Sequence, residues 1–151
     1  MMKQIYSLSI GIVTAALSIG LLTGIAAASE NFDASKEVVI SNTERVFKNI
    51  NPAIKMADVY GNKSKGMHGT FGQFPANFDA GFHTHSGAYH GVVIKGTMTN
   101  PFKGEKNPKQ MGAGSYWYVP ANSIHSTACI SDTPCEFYFY ADSKFDFFPI
   151  K

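Results

Sequence analysis

Between Ala53 and Tyr140 the chain alternates short strand-forming runs with clusters of Gly, Pro, Asn and Ser, and this rhythm constrains its fold more than any other feature. Ala53 to Tyr60 and His68 to Phe74 are strand-like and are separated by the polar turn Gly61-Asn62-Lys63-Ser64-Lys65-Gly66. The pattern continues through Phe82 to His85, Tyr89 to Lys95, Ser115 to Val119, Ser126 to Ile130 and Glu136 to Tyr140. Short strands at such spacing predict an all-β sandwich or barrel. Upstream, Glu37-Val38-Val39-Ile40 is expected to be a first strand, and Thr43 to Asn51 either a strand or a short helical turn. Turn formers (14 Gly, 7 Pro) and strand formers (12 Phe, 7 Tyr) share the same 151 residues, a length that suits one core.

The first 28 residues stand apart. Lys3 gives a positive start, Ile10 to Ile25 form an apolar run broken only by Gly, Ser and Thr, and Ala26-Ala27-Ala28 supplies small residues before Ser29. This predicts a secretory signal peptide over residues 1–28, cleaved near Ala28, and a single domain over 29–151. The expected location is periplasmic or secreted, with no membrane association after cleavage. A net charge of +2, from 13 Lys and Arg against 11 Asp and Glu, offers no basic stripe for nucleic acid, so a small molecule or a protein is the expected partner. Export also lets thiols pair. Cys129 and Cys135 flank Ile130-Ser131-Asp132-Thr133-Pro134, a turn-forming segment, and are predicted to form a disulfide across a hairpin.

The chemistry concentrates in Gly81-Phe82-His83-Thr84-His85. Alternate residues of a strand face one side, so His83 and His85 project together and make half a metal site. The second half is His125, which follows the strand and Pro120 turn of Gly114-Ser115-Tyr116-Trp117-Tyr118-Val119-Pro120-Ala121-Asn122-Ser123-Ile124-His125. Three neutral imidazoles with open positions suit one divalent ion: zinc, iron(II), manganese or copper.

These residues resemble the two motifs of the cupin superfamily. His83, His85 and Gly96 match the first motif, and Gly114, Pro120 and His125 match the second. Further similarity, to the ChrR-like cupins and to a bacterial family of uncharacterised function, comes from Asp58-Val59-Tyr60-Gly61, His68-Gly69-Thr70-Phe71, Gly91-Val92-Val93-Ile94 and Gly114-Ser115-Tyr116-Trp117-Tyr118. The resemblance implies a jelly-roll barrel of the double-stranded β-helix type, with the ion near its centre and a pocket at one mouth. It also implies three alternative roles: a three-His dioxygenase acting on a small organic molecule, a non-catalytic binder of metal or ligand, or a sensor. The sensor fits least well, because the ChrR-type proteins carry a sigma-binding helical domain that this sequence does not show.

The chain departs from the motifs at instructive places. Phe78 replaces the leading Gly, Asn122 a later Gly and Cys129 the final Asn, and no Glu stands at the fourth ligand position. Counting back from Gly96 puts Tyr89 inward with Gly91 and Val93 as pocket residues and turns His90 outward; a first turn longer by one residue reverses the two. By analogy with dioxygenases of the superfamily, Glu105 is a second catalytic candidate beside Tyr89, although its polar stretch reads as a solvated loop. Of Tyr116, Trp117 and Tyr118, one or two are expected to line the barrel, with Trp117 assigned to the pocket. His68 reads as a surface residue. Phe145, Phe147 and Phe148 are expected to cover an open barrel end or to pack on a second copy in a homodimer.

Overall fold

The computed structural model describes Asp33 and residues 35–151; the predicted signal segment lies outside the described residues. Eleven strands appear in chain order: β1 (Lys48–Asn49), β2 (Lys55–Gly61), β3 (His68–Phe74), β4 (Phe78–Asp79), β5 (His83–Thr84), β6 (Tyr89–Lys95), β7 (Met98–Thr99), β8 (Tyr116–Val119), β9 (Ala128–Cys129), β10 (Cys135–Ala141) and β11 (Phe148–Pro149). A six-stranded sheet runs β1-β2-β3-β10-β6-β8, a three-stranded sheet β4-β9-β7, and β11 pairs with β5. All pairings are antiparallel, and the described residues contain no helix, as an all-β jelly roll requires.

Alternation along the long strands builds the core. Cys135, Phe137, Phe139 and Ala141 of β10 point inward, and so do Tyr89, Gly91 and Val93 of β6 and Trp117 and Val119 of β8. Tyr116 and Tyr118 of β8 face outward and are exposed. Gly91 lies opposite Trp117 in the ladder, and the indole fills the space a side chain there would take: a Cβ on Gly91 would meet Trp117 Cζ2 at 2.1 Å. The Cys129–Cys135 disulfide joins β9 to β10.

Two expectations are corrected. Glu37 to Ile40 forms no strand: it is exposed and joins no ladder, and Val38 and Ile40 meet Val59, Phe71 and Tyr138 across a surface pocket without backbone pairing. His68 is no surface residue, being fully buried at the start of β3. One ring nitrogen is met locally, because Thr70 donates to Asp58 (2.8 Å) and accepts from His68 Nδ1 (2.9 Å), while Nε2 is buried without a partner. Burial holds its pKa down at about 4, so the ring is neutral.

Candidate metal centre

The three motif histidines meet at one end of the barrel. His83 sits on β5 and His85 two residues on, while His125 comes from the loop after β8. That loop is tied to the His83 strand by its own backbone: His83 N donates to the His125 carbonyl (2.9 Å), His125 N to the His83 carbonyl (3.1 Å), and Asn122 N to the His85 carbonyl (2.8 Å). Asn122, in place of the motif glycine, has φ 62°, a left-handed conformation that Asn adopts more readily than other residues with a side chain.

One potential ligand nitrogen from each ring lies within 4.8 Å of the others, and the ring centroids are 4.4 to 5.2 Å apart. The opposite nitrogen of each ring is committed. His83 Nδ1 donates to the Gly81 carbonyl (2.6 Å), His125 Nδ1 to the Ser123 carbonyl (3.0 Å), and His85 Nδ1 to the Asp146 carbonyl. A carbonyl only accepts, so each Nδ1 carries the proton and each Nε2 presents a lone pair. These backbone contacts orient the rings in the way that outer partners orient metal-ligating histidines.

Burial pushes all three histidines toward the neutral form, with His85 and His125 down at about 4; neighbouring imidazoles push His85 and His125 the same way, while the carbonyl hydrogen bonds, and Asp79 beside His83, oppose it. His85 Nε2 is buried with no partner. An orphaned lone pair amid two like rings is costly in a protein interior, and a cation satisfies it, so the donor set fits a divalent metal ion.

Tyr89 is buried, and its hydroxyl reaches His125 Nε2 at 3.1 Å; burial pushes its pKa up to about 12. His90 faces out and pairs with the exposed Tyr116 hydroxyl (2.6 Å). Trp117 and Tyr89 line a cavity in front of the histidines whose other walls are mainly aromatic and aliphatic, among them Met56, Phe137, Phe139, Phe145 and Phe147. Two expected site residues lie elsewhere. Val93 packs in the core away from the cavity wall. Glu105 is an exposed loop carboxylate that accepts from Phe102 N (3.3 Å) and does not reach the cavity, because its loop folds back on itself.

The C-terminal strap was the least readable part of the site. Phe145 stacks on His85 (4.1 Å between centroids) and Phe147 on His83 (4.4 Å). Asp146 between them accepts from Ser86 N (2.8 Å) and from the Ser86 hydroxyl. Phe145 N donates to the Lys63 carbonyl (2.7 Å), and β11 pairs with β5. The sequence signal was the crowding of Phe near the C-terminus, which announces burial without naming the surface that is covered.

A jelly roll with three convergent histidines at one mouth defines a class of barrel built around a small buried polar site. A cupin domain family model matches residues 71–140, and the barrel is a jelly roll of the cupin type. Solved structures share the fold at low identity. The polyketide cyclase RemF from Streptomyces resistomycificus superposes with a TM-score of 0.65 at 12% identity, over 77% of this chain and 87% of that one. An RmlC-like cupin from Shewanella frigidimarina gives 0.58 at 16%, over 71% and 92%. Salicylate 1,2-dioxygenase from Pseudoaminobacter salicylatoxidans gives 0.52 at 15%, over 62% of this chain and 26% of that one. No curated protein sequence matches the chain.

Proposed function

We propose that the protein is an exported metal-dependent cupin that holds one divalent ion on His83, His85 and His125 and acts on a small, mainly apolar organic molecule in the adjoining cavity. The observation that carries this reading is the set of three imidazoles with one nitrogen each within 4.8 Å of the others, each ring fixed by a backbone carbonyl at Nδ1. A bound ion supplies Lewis acidity and open coordination positions to such a site. The chain's own part is to hold neutral imidazoles in place, exclude water with Phe145 and Phe147, and keep the Tyr89 proton beside the ligand position. That structures of similar fold are named as a cyclase and a dioxygenase supports an enzyme. Export rests on the apolar run and small residues of 1–28, and the Cys129–Cys135 bond suits an oxidising compartment.

A second reading, a non-catalytic metal or ligand carrier, has one observation in its favour: among the described residues no carboxylate lines the cavity to serve as acid or base. Elemental analysis of protein purified from its native compartment tests both. Iron supports the dioxygenase reading, zinc a hydrolytic, isomerising or carrier role, and protein free of stoichiometric metal would sink the proposal.

A further inference from the structure

Beside the histidine cluster, the direction of each hydrogen bond follows from what each group can give. Trp117, Tyr89 and Thr127 line the same cavity, and the Trp117 and Thr127 side chains both reach the Tyr89 hydroxyl. An indole N–H can only donate, so the buried Trp117 Nε1–H, which has no other partner, falls to the Tyr89 oxygen. Thr127 gives its own proton to Asn100 Oδ1 (2.6 Å), which leaves the Thr127 oxygen as an acceptor.

The Tyr89 proton therefore has two acceptors within reach. One is His125 Nε2 at 3.1 Å, whose lone pair is available because His125 Nδ1 holds its proton against the Ser123 carbonyl. The other is Thr127 Oγ1, two residues along the chain from His125. A single lone pair accepts a proton donor or binds a cation, never both at once. An ion on His125 thus turns the Tyr89 hydroxyl away. Tyr89 is buried, and a buried donor left without an acceptor subtracts from the affinity of whatever displaced it. Thr127 supplies the acceptor that avoids this loss.

We infer that the Tyr89 hydroxyl is a two-position switch, on His125 Nε2 when the ion site is empty and on Thr127 Oγ1 when it is filled, and that Thr127 is a positioning residue for ion binding. This rests on the metal reading of His83, His85 and His125. Asn100 belongs to the device because it takes the Thr127 proton and so fixes the Thr127 oxygen as acceptor. Tyr89 is then the group an ion displaces and not one of its ligands.

Zinc affinity, measured by competition with a chelator, tests this in the parent protein and in a double-mutant cycle. Thr127→Val keeps the shape and removes the acceptor, so the Tyr89 proton is stranded only when zinc is bound; the Asn100 contact is lost with and without zinc and cancels. Affinity should fall about tenfold, the lower range for a buried donor left unpaired. Thr127→Ser, which keeps the hydroxyl, should bind as tightly as the parent. Tyr89→Phe removes the proton altogether and should bind zinc no more weakly than the parent, and adding Thr127→Val to it should change affinity by less than about twofold. A tenfold loss in Tyr89→Phe would make the phenol a ligand and overturn the switch. An equal loss from Thr127→Val with and without the Tyr89 hydroxyl, the mark of a merely structural threonine, overturns it too. Either result, with one zinc per chain in the parent, leaves the metal reading intact; a parent that takes up no zinc overturns both.

Discussion

The two sides of the histidine cluster are built differently. On one side His125 and Tyr89 are held by the barrel: Tyr89 lies within the β6 ladder, and the His125 loop is stitched by two backbone hydrogen bonds to His83 of β5 and by a third to His85. On the other side the strap from Phe145 to Ile150 is fixed by a two-residue ladder, a few single contacts and two stacked rings, and Phe147 and Phe148 are about half exposed. The barrel side therefore sets the geometry at high local stability, while the strap beyond Phe145 has fewer backbone hydrogen bonds to lose.

Acid should break both sides at once. His68, His83, His85 and His125 are neutral in the fold because burial lowers their pKa values, three of them to about 4, against an ordinary value of 6.5. The unfolded chain binds protons first as pH falls from 6.5 to 4, so stability falls across that window, by on the order of 3 kcal/mol per fully shifted group. Metal-free protein should show a flat melting temperature above pH 7 and a steep decline below 6.5. A melting temperature constant from pH 7 to 4.5 contradicts the assignment of neutral buried rings.

Removing the strap separates the two sides. Deleting residues 143–151 takes away the Asp146 carbonyl that orients His85 and both stacked rings. Metal affinity should drop 10- to 100-fold, the range for loss of an outer partner, while the barrel, read by backbone circular dichroism, stays folded. Affinity unchanged by the deletion would reverse the comparison, leaving the strap as mere cover.

The disulfide sharpens it from the other side. Replacing Cys129 and Cys135 with Ser removes a short-loop constraint on the unfolded chain worth about 2 kcal/mol. It should lower the denaturant midpoint and leave metal affinity within about twofold, because the bond lies between β9 and β10 and touches none of the three histidines. The smallest effect belongs to His90→Ala: the ring is exposed against Tyr116, and metal affinity should not change measurably. A tenfold loss there would mean that His90 reaches the ion.

How much of this was readable before the fold depends on the range of the forces involved. β3 and β6 keep the bounds their alternation suggested, His68–Phe74 and Tyr89–Lys95, since each strand is long enough to show its period. The two-residue strands β4, β7 and β11 carry no period, and only their neighbours in space define them. The burial of His68 hinges on Asp58 and Thr70, which the sequence separates from each other by twelve positions. Likewise Phe145 and Phe147 find His85 and His83 across some sixty residues, and no local pattern encodes that landing.

Three imidazoles, with no carboxylate, make up the proposed ion site. Plasma emission analysis of the purified protein and of His125→Ala tests it most directly. About one divalent ion per chain is expected in the first and none in the second, because two histidines and a freed Tyr89 hydroxyl make too poor a donor set. Stoichiometric metal retained by His125→Ala would contradict it.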